Sequence, residues 1–155
     1  MTKTNAMRLL DQKKIEYEVK EIEDAEGLSG GQMALKAGEN PEEVYKTLVT
    51  VGAKGAHYVF VVPVEKELDL KKAAKTVGEK SISMIHQKEL LPLTGYIHGG
   101  CSPVGMKKFF RTVFDKSALS HERIYFSGGK VGVQVRIRTV DISKAIKCEF
   151  EDIVS

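Results

Sequence analysis

The 155-residue chain holds two cysteines, Cys101 and Cys148, which form neither a disulfide framework nor a CxxC redox pair. Its histidines, His57, His86, His98 and His121, are scattered too widely for a standard zinc spacing, so no metal site is expected. No apolar run approaches the roughly 20 residues that cross a membrane as a helix. The start, Met1-Thr2-Lys3-Thr4-Asn5, leads into an amphipathic stretch and not into a signal-peptide core, so a cytoplasmic location is expected. The dinucleotide pattern GxGxxG and the Walker loop are both missing, and no cofactor is indicated. No linker, repeat or low-complexity tract divides the chain, so residues 1–155 are read as one domain.

What the chain does contain is the ordinary material of a globular protein, 42% hydrophobic and 29% charged. Its net charge of +3 is unevenly spread. Residues 1–48 carry 7 Lys/Arg against 10 Asp/Glu, whereas residues 99–147 carry 10 against 3. Such asymmetry suits a basic face for a polyanion, and it equally suits strands whose outer side is solvated lysine.

Apolar spacing predicts a helix over 5–14 and a half-buried strand over 15–19. Ser29 with Gln32 forms a capping box for a helix that Gly38 ends. Asn40-Pro41 with Glu43 marks another short helix start. Strands follow at 45–51 and 58–64, the second so apolar that it belongs near a sheet centre. Asp69 caps a helix stopped by Gly78, with Lys71, Lys72 and Lys75 on its exposed face. A short strand and a helical turn occupy 83–91, and a further strand runs over 109–114. Strands at 124–127 and 131–137 flank Gly128-Gly129-Lys130, a hairpin signal. Asp141 caps a last helix, and 148–150 add an edge strand. Strands outnumber helices, so the expected class is α/β (α+β): a central mixed, largely antiparallel, barrel-like sheet with helices around it.

The stretch from Gly99 to Lys108 is neither a good helix nor a good strand. Gly99, Gly100 and Gly105 permit close backbone approach, and Pro103 fixes its own φ. Such a loop is either a plain turn or a display of N–H groups for an anion or a carbonyl oxygen. Lys46, at a helix-to-strand junction, either projects into solvent or aims a fixed charge at a pocket mouth. Cys101 invites a nucleophile reading, with Lys107 and Lys108 as nearby cations, but a small buried or loop cysteine is the commoner case and the favoured one here.

These blocks occur together in a recognisable order: Val44-Tyr45-Lys46-Thr47-Leu48, residues Leu68 to Lys75, Gly95-Tyr96, Gly99 to Gly105 with Lys107-Lys108, and Ile124 to Lys130. In that register the chain closely resembles the YbaK/EbsC family of free-standing Cys-tRNA(Pro)/Cys-tRNA(Cys) deacylases, similar to the editing domain of bacterial prolyl-tRNA synthetases. The resemblance implies a pocket at the mouth of a central sheet and hydrolysis of a mischarged aminoacyl-tRNA ester. It implies an essential role for Lys46, with Thr47, Gly99, Gly100, Cys101, Ser102, Ser127 and Gly128 around the substrate. It also implies attack by the substrate's own thiol, and a transient complex with prolyl-tRNA synthetase and tRNA. Lys71, Lys72, Lys75, Lys107 and Lys108 are the candidates for tRNA phosphates. Gln134 stands where some relatives carry an acid, and Cys101 where many are aliphatic. Other readings are a deacylase for a different small amino acid such as alanine, a non-catalytic tRNA- or synthetase-binding module, and a thiol oxidoreductase using Cys101.

Overall fold

In a computed structural model, which describes residues 2–155, helix α1 (Asn5–Gln12) opens the chain. Its N-cap, Thr4, accepts from the Met7 amide at 3.2 Å. Strand β1 (Tyr17–Glu21) starts two residues later than the alternation predicts. Ile15 serves the helix exit instead: Lys14 turns to φ 58 and the Ile15 amide bonds back to Leu10. Helix α2 (Gly30–Lys36) carries both bonds of the Ser29/Gln32 capping box. A single 3₁₀ turn at Pro41–Glu43 follows, capped by Asn40.

Strands β2 (Tyr45–Gly52) and β3 (His57–Pro63) form a tight antiparallel pair in which Lys46 faces Val62. Asp69 caps helix α3 (Leu70–Val77) by accepting from the Lys71 and Lys72 amides, and Gly78 ends it at φ 76. Then come β4 (Ile82–Met84), α4 (Leu90–Thr94) and β5 (Arg111–Asp115). Strands β6 (Arg123–Lys130) and β7 (Val133–Arg138), helix α5 (Ile142–Ala145) and β8 (Glu149–Glu151) complete the chain.

The mixed, largely antiparallel character expected from the sequence is present, divided over two sheets that do not close into a barrel. Five strands run in the order β4-β2-β3-β5-β8, with β3 central and the β3–β5 and β5–β8 pairs parallel. Three run β1-β7-β6, all antiparallel. The sheets meet at a bridge between Val44 and Tyr125. Side-chain alternation along β3 divides the core: Val59 and Val61 point to the main cluster shared with the second sheet, Phe60 and Val62 to a smaller one under α3.

The hairpin turn lies at Val131-Gly132, not at Gly128-Gly129-Lys130. Ser127 faces Gln134 while Lys130 faces Val133, so Gly128 and Gly129 form a bulge in β6. Tertiary packing needs that bulge. A Cβ on Gly129 would stand 3.0 Å from the Tyr96 ring, and Thr4 donates its hydroxyl to the Gly128 carbonyl. Asp141 does begin α5, but its carboxylate makes no cap bond and takes Arg138 and Lys144 instead.

Candidate active site

Strand β4 pairs with β2 only from Thr50 to Gly52, and Val44 is bridged to β6. Between those two points, residues 45–49 border a cleft of about 480 Å³. Its walls are mostly apolar, from Leu28 and Met33 around α2 and from Met84, Ile85 and Leu90 beyond β4. Gly99 and Cys101 close one side, and Ser127, Val133 and Gln134 another. A space of this size with a few convergent polar groups suits a small molecule or the end of a larger one.

Lys46 and Thr47 reach this cleft from opposite faces of one strand. Lys46 is half-buried at the rim, and its ion-pair partner, Glu67, is 3.9 Å away and largely exposed. That pair is too loose and solvated to neutralise the ammonium. The Thr47 hydroxyl oxygen is buried and has no hydrogen-bond partner among the described residues. A buried hydroxyl in that state costs free energy unless something else bonds it.

The glycine loop is held from behind. The buried Tyr96 hydroxyl donates to the Val104 carbonyl at 2.7 Å. Gly100 presses on the hairpin so closely that a Cβ there would lie 3.0 Å from the Val131 amide nitrogen. The Gly100 amide is already used, donating to the Ile97 carbonyl at 3.0 Å. Ser102 is fully buried, and its hydroxyl accepts from the Val104 amide. The two loop residues that line the cleft are Gly99 and Cys101, and neither amide is engaged by another described residue. They are therefore the donors the loop can offer at the cleft.

Cys101 is 8% exposed, and burial pushes its thiol up to about 12, with a Thr94 hydrogen bond opposing only in part. At neutral pH it is a thiol, not a nucleophilic thiolate. On the opposite wall, Ser127 lines the cleft and its hydroxyl accepts from the Gly129 amide. Gly128 is buried behind it against Val133.

Of the residues singled out from the sequence, the structure gathers Lys46, Thr47, Gly99, Cys101 and Ser127 around one cleft; Gly100, Ser102 and Gly128 support its walls. Lys107 and Lys108 are exposed beside the glycine loop, with the Lys107 amide bonded to Thr94. Lys71 and Lys75 are exposed on α3, which covers the other face of the five-stranded sheet. Lys72 is tied down there, donating to Asp152 and to the Val154 carbonyl. The apolar wall residues and His98 could not be picked out beforehand, because their role depends on which loops fold over the β2 edge. Among the described residues, no cluster of His, Cys, Asp or Glu is placed to hold a metal ion, and no helix is long and apolar enough to cross a membrane.

Four likenesses to known proteins bear on this arrangement. A family model described as the aminoacyl-tRNA editing domain matches residues 25–145. An Enterococcus faecalis protein named "Putative Cys-tRNA(Pro)/Cys-tRNA(Cys) deacylase EbsC" is 42% identical over 154 residues, 99% of this chain and 94% of its own. A solved structure described as "a putative trans-editing enzyme for prolyl tRNA synthetase" superposes with a TM-score of 0.87 at 24% identity, covering 100% of this chain and 99% of the other. A hypothetical protein superposes at 0.88 with 20% identity, over 98% and 100% of the two chains. The last two speak for the fold alone. The family match takes in β2, the glycine loop and the β6 bulge, and with it the whole rim of the cleft: this chain belongs to the aminoacyl-tRNA editing domain family.

Proposed function

We infer that this protein is an aminoacyl-tRNA deacylase that removes cysteine from mischarged Cys-tRNA(Pro), and Cys-tRNA(Cys) as a second substrate. One observation carries the reading. A loosely paired lysine, an unpartnered buried threonine hydroxyl and two unengaged loop amides converge on a mostly apolar cleft. The name of the Enterococcus faecalis relative supports the choice of amino acid.

The chemistry follows from what the cleft offers and what it withholds. It presents donors for an ester but no activated protein nucleophile, because the Cys101 thiol is held protonated by burial. The substrate supplies its own. The cysteinyl sulfur adds to its carbonyl carbon, the bond to the ribose 3′ oxygen breaks, and the thiol proton ends on that oxygen. The products are tRNA with a free 3′-hydroxyl and a cyclic thiolactone, which water then opens to cysteine. Holding the thiol against the carbonyl makes the attack intramolecular, worth several orders of magnitude in effective concentration. The Gly99 and Cys101 amides receive the charge that develops on the carbonyl oxygen. Lys46 and Thr47 hold the ribose and phosphate oxygens at the mouth. A prolyl ester lacks the thiol, so the correct product is spared without being excluded by size. That matters because an apolar pocket separates two side chains of similar volume only poorly.

The tRNA body is held through phosphates, and its identity is supplied by a transient complex with prolyl-tRNA synthetase. The test is to incubate the purified protein with Cys-, Ala- and Pro-tRNA(Pro) and follow loss of the ester. Rapid loss of the cysteinyl ester alone supports the reading. Loss of the alanyl ester instead would replace it with water-based hydrolysis, and no loss at all would leave a binding module.

A further inference from the structure

Gln134 sits in β7 between Lys20 of β1 and Ser127 of β6, and it shares the cleft wall with Ser127. It is 6% exposed. Its amide has one satisfactory orientation, in which the nitrogen donates to both oxygens of Glu39, at 2.7 and 2.8 Å. Glu39 follows α2, its amide bonded to the Ala34 carbonyl and its carboxylate wholly covered. The nearest cation, Lys20, is 3.7 Å away and donates its own hydrogen bond to the Ala37 carbonyl.

With its carboxylate ionised beside Lys20, Glu39 only accepts, so it commits the amide nitrogen and leaves the amide oxygen with no hydrogen bond to another described residue. Turning the amide over would set a carbonyl oxygen against a buried carboxylate, with neither group satisfied. An aminoacyl-tRNA 3′ end is rich in acceptors and poor in donors. Its one cationic donor is the α-ammonium beside the ester.

We propose that Glu39 is a positioning residue that fixes Gln134 with its amide oxygen toward the cleft, where it accepts a hydrogen bond from the substrate's α-ammonium. The proposal rests on the deacylase reading above. Glu39 touches no substrate; it acts by denying Gln134 the donor orientation. Gln134 thereby makes the site selective for an ester with a free amino group, independently of the side-chain chemistry.

The test compares cysteinyl-tRNA(Pro) with 3-mercaptopropionyl-tRNA(Pro), which keeps the thiol and ester but lacks the amine. Each is assayed with wild type, Gln134→Leu, Glu39→Gln and the double variant, after thermal unfolding has shown which variants are folded. On the cysteinyl ester, each single substitution lowers kcat/KM about tenfold, chiefly through KM. The double variant is no worse than Gln134→Leu alone. On the amine-free ester the substitutions change little. Equal proportional losses on both esters, or additive losses in the double variant, would overturn the proposal. Should Glu39→Gln fail to fold, Gln134→Leu alone decides by its ratio between the two esters. A wild-type protein inert toward the cysteinyl ester overturns the deacylase reading itself, a result distinct from activity with the wrong ratio.

Discussion

The phenol of Tyr96 donates to the carbonyl of Val104, 2.7 Å away, and both residues are almost entirely buried. This bond fastens the far side of the glycine loop to the main core while Gly105 passes the same hydroxyl too closely to carry a side chain. Tyr96→Phe leaves that carbonyl without a partner. The expected loss is about 1–3 kcal/mol of stability, measured by denaturant unfolding. Because the loop also sets the Gly99 and Cys101 amides, deacylation falls by about tenfold as well.

Lys46→Ala removes the cation at the cleft rim without touching the core. Its ion pair with Glu67 is long and exposed on the carboxylate side, so stability changes by no more than about 0.5 kcal/mol. Ester cleavage falls by roughly a hundredfold or more. Activity that survives in a folded variant would refute the role assigned to this lysine.

Cys101→Ser leaves deacylation within a few-fold of wild type. The thiol ionises only near 12, so it contributes no inflection between neutral and mildly alkaline pH. The rate instead rises with pH as the substrate's own thiol ionises, and the profile is the same in the variant. A lost inflection in Cys101→Ser would restore a protein nucleophile.

Asp141 accepts from Lys144 at 3.0 Å and Arg138 at 3.1 Å while its own side chain is almost fully covered. The Lys144 hydrogen bond, then that of Arg138, holds its carboxyl below the usual carboxylate range. A carboxyl that is more acidic folded than unfolded stabilises the native state above its ordinary pKa. That contribution is lost as pH falls through the depressed value. Asp141→Asn therefore costs about 1 kcal/mol at neutral pH, the exposed ends of both partners limiting the figure. The difference between variant and wild type shrinks on acidification, as read by denaturant unfolding at a series of pH values.

Affinity for tRNA falls steeply with added salt, as it does wherever phosphates are the main points of attachment. The paired change Lys107→Ala with Lys108→Ala flattens the salt slope by about one for each of the two lysines that meets a phosphate. Lys71→Ala with Lys75→Ala, on the far face of the five-stranded sheet, changes it much less. Filter binding across a salt series separates the two surfaces, and a larger effect from the α3 pair would move the RNA to that face.

Local chemistry was legible in the chain because its causes are local. The Ser29/Gln32 box, the Asn40 and Asp69 caps and the stop at Gly78 each depend on a few consecutive residues, and all stand where spacing predicts them. The apolar run of β3 announced a central strand, since only a strand covered on both faces can sustain it. The hairpin turn was misplaced because Gly128 and Gly129 carry turn chemistry but serve as a bulge against Tyr96 and Thr4, which lie far away in sequence.

By itself, the sequence determined the order of elements, the division of charge and the set of residues from which a site could be made. Tertiary structure alone decided which of them work together. Gly100 and Gly99 are chemically alike, but one amide is consumed by Ile97 and the other is left without a partner among the described residues, beside the cleft. Gln134 and Glu39 look like two unrelated polar residues until β7 and the end of α2 bring them within hydrogen-bond distance and out of water. The physical reason is the same in both cases. A polar group's function depends on whether folding has already satisfied its hydrogen bonds, and that is a property of neighbours in space.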